Sequence, residues 1–229
     1  MLNDMHKVER WVYPVLFVFM LVGVAIAFVD PEYYTTGWAR EDGPVEWVTV
    51  FALLGAVVLC IHRVITLRKQ KNMIFVLVWS MLAALAFFGA GEEISWGQRI
   101  LGIESPEWFE QNNAQKETNL HNLVVGDTKI NKLIFSTGLA LALLVYLIGF
   151  SIAYRKSEGF KRFAEYFAVP IAKLHHVVAW ISVAIIAEVI IKDVGRSSEL
   201  FEAGAAVVFL LNITFPYNRD SFTKNHSPS

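Results

Sequence analysis

The sequence contains a single cysteine, Cys60, among its 229 residues. One cysteine excludes an internal disulfide bond and any metal site built from several cysteines. Charged residues are also scarce at 18% of the chain, which is fewer than most soluble domains carry. The net charge of −1 excludes a strongly basic chain of the kind that binds polyanions, so no nucleic-acid partner is expected.

Several short catalytic motifs are missing as well. The sequence has no GxSxG elbow, no phosphate-binding P-loop and no HExxH zinc motif. It also has no convincing internal repeat, so an inverted-repeat transporter architecture has no support. The function therefore has to be sought in less standard groupings of residues.

The chain does contain long stretches of apolar residues. Hydrophobic residues make up 55% of it, and they come in blocks of about 20, the length needed to cross a bilayer. We predict an all-α membrane protein, with residues 1–229 forming a single integral membrane domain. About six transmembrane helices are expected, near 11–29, 46–66, 73–91, 133–153, 174–191 and 200–215.

The distribution of charge predicts the orientation of these spans. Lysines and arginines gather at the N-terminus, near 63–71, within 155–173 and in the C-terminal tail, which places both termini in the cytoplasm. Most acids lie on the opposite, external side. The basic and aromatic segment before Pro170 predicts one interfacial amphipathic helix. The expected location is a bacterial inner (plasma) membrane.

The N-terminus allows a second interpretation. Lys7 and Arg10, followed by an apolar run and then "AIA" at 25–27, also fit a cleaved signal peptide. Cleavage would remove the first span and leave the directions of the others unchanged.

The stretch "GAGEEISWGQRI", residues 89–100, ends the third apolar block with costly polar groups. On a continuous helix Glu92, Trp96 and Arg99 share one face, with Glu93 on the neighbouring face. Ionisable residues at such a position indicate a functional site, because their burial is costly. Alternatively, both acids emerge into water with Arg99 as their partner.

A long polar external loop, residues 91–131, follows and contains the candidate site. Ser105, Pro106 and Glu107 predict a helix start. Glu117 and His121 are four residues apart, so a helix would place them together to bind a metal or to act as acid and base. The same pair also fits a surface hydrogen bond. The amide-rich sequence around them suits a sugar or a head group, and equally an exposed loop.

Further acids lie at the external ends of other spans. Asp42 and Glu46 open the second span, where they also suit a helix cap, and Glu199 and Glu202 open the sixth. Glu188 lies one turn inside the end of the fifth span, with Lys192 as a possible partner. Together these acids predict an outward-facing acidic pocket.

The histidines restrict the kind of metal site. His62, His175 and His176 fall near the cytoplasmic ends of their spans, so by this topology only His121 can join the external acids. A three-histidine zinc site is therefore not expected, and a carboxylate-rich site favours magnesium, calcium or manganese.

The residues form three sets of candidates. The catalytic candidates are Glu92, Glu93, Glu117 and His121. The candidate metal ligands, for one divalent ion as cofactor, are Glu93, Glu117 and His121. The candidate substrate-binding residues are Asp42, Glu46, Gln98, Arg99, Gln115, Asn119, Glu188, Glu199 and Glu202.

The motifs "GEEISWGQR" and "NAQKETNLHNL" carry a resemblance. They resemble an uncharacterised family of small multi-pass bacterial membrane proteins, and this likeness implies a membrane fold without an activity. A looser likeness, through "EDGPVEW", is to membrane ceramidases and related lipid hydrolases. The histidine pattern of that group is missing from the external side, so none of its site residues is carried over.

Three functions remain open at this point. The first is a metal-dependent membrane enzyme, a hydrolase or transferase, acting on a lipid or polyprenyl-linked head group. The second is a non-enzymatic accessory or scaffolding subunit, with another membrane protein as its partner. The third is a cation or proton transporter. The sequence leaves the oligomeric state open.

Overall fold

The computed structural model describes residues 4–120, 122–125, 128–129 and 138–223. Within them the chain is helical apart from two antiparallel strands of two residues each, β1 (Val124–Val125) and β2 (Thr128–Lys129). The described α-helices are α1 (Lys7–Val29), α2 (Pro31–Tyr33), α3 (Pro44–Leu67), α4 (Met73–Glu93), α5 (Gln98–Leu101), α6 (Glu107–Asn112), α7 (Leu139–Leu144), α8 (Ser151–Lys156), α9 (Glu158–Tyr166), α10 (Leu174–Ile185) and α11 (Ser197–Thr214).

Shorter helical turns of other types extend or connect these helices. Wide π-helical turns follow three of them, at Tyr34–Trp38, Val145–Phe150 and Ile186–Ile190. Tighter 3₁₀ turns lie at Ser95–Gly97 and Arg219–Phe222. The prediction of an all-α fold is confirmed.

Four helices, α1, α3, α4 and α11, are long and apolar enough to cross a membrane. They agree with four of the six predicted spans. The fifth predicted span is a shorter apolar helix, Leu174–Ile190, and the fourth is described only from residue 138 onwards, as the continuous helical run through α7 and α8. The four long helices are therefore established, and the count of six remains a prediction.

The outer faces of the long helices are apolar. Val15 and Val18 of α1, and Phe51 and Val58 of α3, are all more than 60% exposed. A soluble protein rarely exposes so many large apolar side chains, whereas the hydrocarbon of a bilayer accommodates them. These faces fit a membrane protein.

Helix α11 lies at the centre of the bundle. Of its apolar stretch, 56% is buried, compared with 28–33% in the other three long helices. Gly204 permits this, because an added Cβ atom would lie 2.5 Å from Val183 of α10 and 3.2 Å from Met20 of α1. At its C-terminus, Arg63 of α3 donates to the carbonyl oxygens of Ile213 at 2.6 Å and of Thr214 at 3.2 Å.

The third predicted span ends in a break that the sequence interpretation missed. We expected a continuous helix through Arg99, but α4 ends at Glu93. Ser95, Trp96 and Gly97 all have positive φ angles, of 46°, 55° and 75°. The left-handed conformation ends α4, so Arg99 belongs to a separate helix, α5, and does not share a helix face with Glu92.

The loop after α5 corrects a second prediction. Helix α6 begins at Glu107, one residue after the predicted start at Pro106, and the hydroxyl of Ser105 donates to the carbonyl of Lys116 instead of capping the helix. Glu117 lies in an irregular segment and not on a helix, so its spacing of four residues from position 121 does not bring the two together on a helix face. Position 121 itself lies outside the described residues.

Helix α9 confirms the predicted amphipathic segment as a helix. The hydroxyl of Ser157 accepts from the backbone N–H of Phe160 at its start, and Ala168, with φ of 51°, follows its end. Its buried face, at Ala164, packs with Tyr154 and Ile171. Its location at a membrane surface remains a prediction.

Candidate functional site

Arg99 is the centre of an ion-pair network at the polar end of the bundle. Its guanidinium group lies 2.7 Å from Asp42, 2.9 Å from Glu46 and 2.6 Å from Glu117. Burial alone lowers the pKa of Arg99, but hydrogen bonds to Asp42 and Glu117 outweigh this effect and raise it above its usual value. Arg99 therefore remains charged and holds together α3, α5 and the loop that contains Glu117.

A second arginine extends the network. Arg196, just before α11, lies 2.7 Å from Glu41, whose other oxygen is 3.6 Å from Arg99. Gln115 also donates to Glu41, at 2.8 Å. Four carboxylates thus share two guanidinium groups, so the network keeps a negative excess.

Ser95 and Asn119 complete the contacts of Glu117. The Ser95 hydroxyl donates to Glu117, and the Asn119 amide donates to both, at 2.7 Å to Ser95 and 3.1 Å to Glu117. All three side chains are buried or nearly so. Since the lone pairs of Glu117 are occupied by partners in the chain, the arrangement is typical of a structural carboxylate.

The amide side chains of the loop mainly bind the loop itself. Asn113 donates to Asn119 and accepts from the backbone N–H groups of Gln115 and Glu117. Gln98 accepts from the backbone of Thr118 at 2.7 Å. We predicted that Gln98, Gln115 and Asn119 bind substrate. In this structure they instead attach the loop to α5, to Glu41 before α3 and to Ser95 after α4.

Glu92 also has partners in the chain. Its two oxygens accept from the indole N–H of Trp96 at 2.8 Å and from the backbone N–H of Leu120 at 2.6 Å. Glu92 and Trp96 are adjacent, as the sequence predicted, although no continuous helix joins them. This carboxylate ties the end of α4 to the loop.

Glu93 belongs to a different group. Carboxylate oxygens of Glu93, Glu199 and Glu202 all lie within 4.8 Å of one another, and all three residues are partly buried. In the described part of the chain no lysine or arginine lies within ion-pair distance of them. Glu41 and Glu46 are close enough to act on Glu93 electrostatically, which adds further negative charge. We call these three residues the carboxylate cluster.

The surroundings of the carboxylate cluster include a buried hydroxyl without a partner. Tyr34 is fully buried, and its hydroxyl has no hydrogen bond to any described residue. Burial raises the pKa of the Tyr34 phenol, and the negative charge of Glu199 raises it further. Because Glu199 acts on it in this way, the phenol lies near the cluster. Glu188, in the π-helical turns after α10, acts electrostatically on Glu202.

The predicted site residues thus separate into two groups. Asp42, Glu46, Glu117 and Arg99 meet in the ion-pair network, whereas Glu93 meets Glu199 and Glu202. The predicted metal set of Glu93, Glu117 and His121 is not brought together among the described residues, because Glu117 is bound by Arg99 and His121 lies outside them. Glu188 forms no ion pair with Lys192 in the part of the chain described here.

Sequence reasoning missed other partners. Glu41 and Ser95 were not among the predicted site residues, although each contacts Arg99. It also missed a buried group at the other end of α10, formed by Glu9, His175 and His176. The paired histidines were visible in the sequence, but nothing in it indicated that Glu9 would face them.

No protein-family model, curated protein or solved structure matches this chain. Its function is therefore argued from its own residues.

Proposed function

We propose that the protein is a metal-dependent membrane enzyme that binds a divalent cation at the carboxylate cluster and acts on the head group of a lipid or polyprenyl-linked substrate. One observation carries the proposal: three carboxylates converge, and no described lysine or arginine lies within ion-pair distance of them, although Arg196 acts on Glu199 from further away. The accompanying topology has six spans, both termini in the cytoplasm and the cluster on the external side. The positive-inside distribution of lysine and arginine supports it.

Electrostatics supports a bound cation. Two ionised carboxylates whose oxygens lie no more than 4.8 Å apart in a partly buried site repel each other by at least about 3 kcal/mol. Three such pairs exist in the cluster, and Glu41 and Glu46 add to the repulsion. A cation removes this cost. Because all three ligands are carboxylate oxygens, a hard ion such as magnesium, calcium or manganese suits the site best.

The exposed apolar side chains that follow Glu93 in the chain support a lipid substrate. Trp96, Ile100, Leu101, Ile103 and Trp108 are all at least 45% exposed, although they belong to or follow the polar stretch. Exposed tryptophans and aliphatic side chains beside charged groups suit the membrane interface. A head group at that depth lies near the cluster, where a bound cation can polarise it or activate a water molecule.

Metal binding is the first test. Manganese binding to the detergent-purified protein, measured by electron paramagnetic resonance, should show about one site per chain. We expect a Glu93→Gln, Glu202→Gln variant to lose it. A Glu104→Gln, Glu110→Gln variant is the matched control, because it removes two exposed acids and the same charge. Equal binding by both variants, or none in the wild type, would refute the cation site.

Activity is the second test. Proteoliposomes containing mixed lipids and polyprenyl phosphates should release a water-soluble head-group product when manganese or magnesium is added, and the Glu93→Gln, Glu202→Gln variant should not. If the cation binds and no substrate is turned over, the accessory-subunit function gains support and the enzyme is rejected.

One observation favours transport as a second candidate. Glu188 lies in a π-helical turn, a feature frequent at functional sites, and acts electrostatically on Glu202. A transporter would move manganese or protons into proteoliposomes, and Glu188→Gln should block that flux. Unchanged flux in the variant would count against transport.

A further inference from the structure

A second cluster lies at the opposite end of α10 from Glu188. Glu9, near the start of α1, places its Oε1 atom 2.8 Å from His175 Nε2 and 2.6 Å from His176 Nε2. All three residues are at most 4% exposed. None of them belongs to the carboxylate cluster or to the ion-pair network.

The hydrogen-bond directions around His176 follow from one fixed acceptor. The carbonyl of Pro170 can only accept, so the Tyr146 hydroxyl donates to it. Asn212 must then donate to that hydroxyl through Nδ2, at 2.7 Å. This orientation turns Asn212 Oδ1 toward His176 Nδ1, 3.0 Å away, so Nδ1 carries a proton. Two groups compete for Nδ1: the backbone N–H of Lys173 donates to it at 3.3 Å, whereas Asn212 Oδ1 lies closer, at 3.0 Å. We infer the tautomer from the shorter contact.

With Nδ1 protonated, neutral His176 carries its lone pair on Nε2. That nitrogen faces Glu9 Oε1, which also offers only lone pairs when it is ionised. Two lone pairs at 2.6 Å repel each other, so a cation belongs between these atoms. The cation is either a proton or a metal ion.

The position of His175 favours a metal ion over a proton. A proton shared by Glu9 and His176 leaves His175 with an ordinary hydrogen bond, whereas a metal ion uses all three converging atoms. Two imidazole nitrogens and one carboxylate oxygen form a ligand set typical of zinc. We propose that Glu9, His175 and His176 bind a divalent transition-metal ion of the zinc class, in a site separate from the carboxylate cluster.

The groups behind the ligands also fit a metal site. Metal-binding histidines usually donate their other ring N–H to an oxygen, and Asn212 supplies that oxygen to His176. The second oxygen of Glu9 accepts from the backbone N–H of His6 at 2.6 Å. Hydrogen bonds to groups outside the site thus orient both His176 and Glu9.

Binding requires only a small adjustment. Ligand atoms in a tetrahedral zinc site lie about 3.3 Å apart, so Glu9 and the histidines separate by roughly half an ångström. Lys173 contacts the other oxygen of Glu9, at 3.6 Å, and its ammonium group also donates to the Asp4 carbonyl at 3.2 Å. It therefore keeps a partner if a metal ion weakens its contact with Glu9. The ion would join α1 to α10.

Cobalt binding tests the proposal. Protein purified without a histidine tag and loaded with cobalt should show the visible absorption of a tetrahedral ion, displaced by one equivalent of zinc. We expect His175→Ala and His176→Ala to lose this absorption. His62→Ala is the matched control, because it removes an exposed histidine from the same side of the protein and should retain the signal.

A milder variant keeps the test decisive if the histidine variants fail to fold. Tyr146→Phe keeps all three ligands but removes the hydroxyl that orients Asn212. Loss of such a supporting group should weaken zinc affinity by about 10- to 100-fold. Unchanged affinity in this variant would overturn the orientation argument.

The proposals for the carboxylate cluster and for this histidine site can be refuted separately. Glu93→Gln, Glu202→Gln should lose manganese and retain cobalt, while His176→Ala should do the opposite. The proposal is overturned if the wild type binds no transition metal stoichiometrically after incubation with cobalt or zinc. In that case the cation between Glu9 and His176 is a proton.

Discussion

Removal of the Arg99 side chain tests the structural role of the ion-pair network. Arg99→Met keeps the approximate length and apolar stem of the side chain and deletes the guanidinium group. It leaves Asp42, Glu46 and Glu117 without their shared cation. Glu46 and Glu117 are only 5% and 12% exposed at the side chain, so water compensates them poorly.

The size of the effect follows from these exposures. Removing one partner of a buried ion pair costs about 3–5 kcal/mol. Asp42 is 32% exposed, so its lost contact contributes less than the other two. We therefore expect Arg99→Met to lower the free energy of unfolding by about 3 kcal/mol, a drop of about 6–12 °C in the unfolding midpoint for a chain of this size.

Thermal unfolding in detergent, followed by intrinsic tryptophan fluorescence, measures this change. Arg68→Met is the matched control, because Arg68 is exposed at the other end of α3, and its midpoint should stay close to that of the wild type. Adding Glu46→Gln to Arg99→Met should recover part of the loss, since it removes one unpaired charge. An unfolding midpoint for Arg99→Met equal to that of Arg68→Met would refute the reasoning.

Three further substitutions test the packing, each measured by the same unfolding assay. Gly204→Ala should cost about 1–3 kcal/mol because its Cβ atom would overlap Val183, and adding Val183→Ala should relieve the overlap; a stable single variant would contradict this packing. Arg63→Lys should cost about 2 kcal/mol, because an ammonium group lacks the planar fork that reaches both carbonyls at the end of α11 while stacking on Trp79 and Phe222; an unchanged midpoint would count against that contact. Gly91→Ala should displace the Trp96 ring, which lies 2.8 Å from the added Cβ atom, and shift its fluorescence emission; an unchanged spectrum would contradict this close approach.

The helices were the predictable part of this protein. Long apolar blocks specify membrane-length helices through their own composition, and the predicted ends of α3 and α4 agree with the structure within two or three residues. The helix start near Ser105, Pro106 and Glu107 was also predicted to within one residue, because local backbone preferences decide such starts. The amphipathic α9 follows from its own side-chain pattern in the same way.

The break after Glu93 was not predictable from the same signals. A helical pattern places Arg99 on one face with Glu92, and the stretch contains good helix formers. Positive φ angles at Ser95 and Trp96 carry a local cost that contacts elsewhere must offset. Those contacts come from Glu117, Asn119 and Leu120, which approach only when the external loop folds back.

The sequence by itself determined that this chain forms long apolar helices, and that acids gather at the ends of several of them. The tertiary structure alone decided the partners of each acid. It separated Glu93 from Glu117, joined it to Glu199 and Glu202, and brought Glu9 to histidines 166 and 167 positions away. The physical reason is that helix length and faces depend on local sequence, whereas neighbours across the bundle depend on close approaches such as that at Gly204.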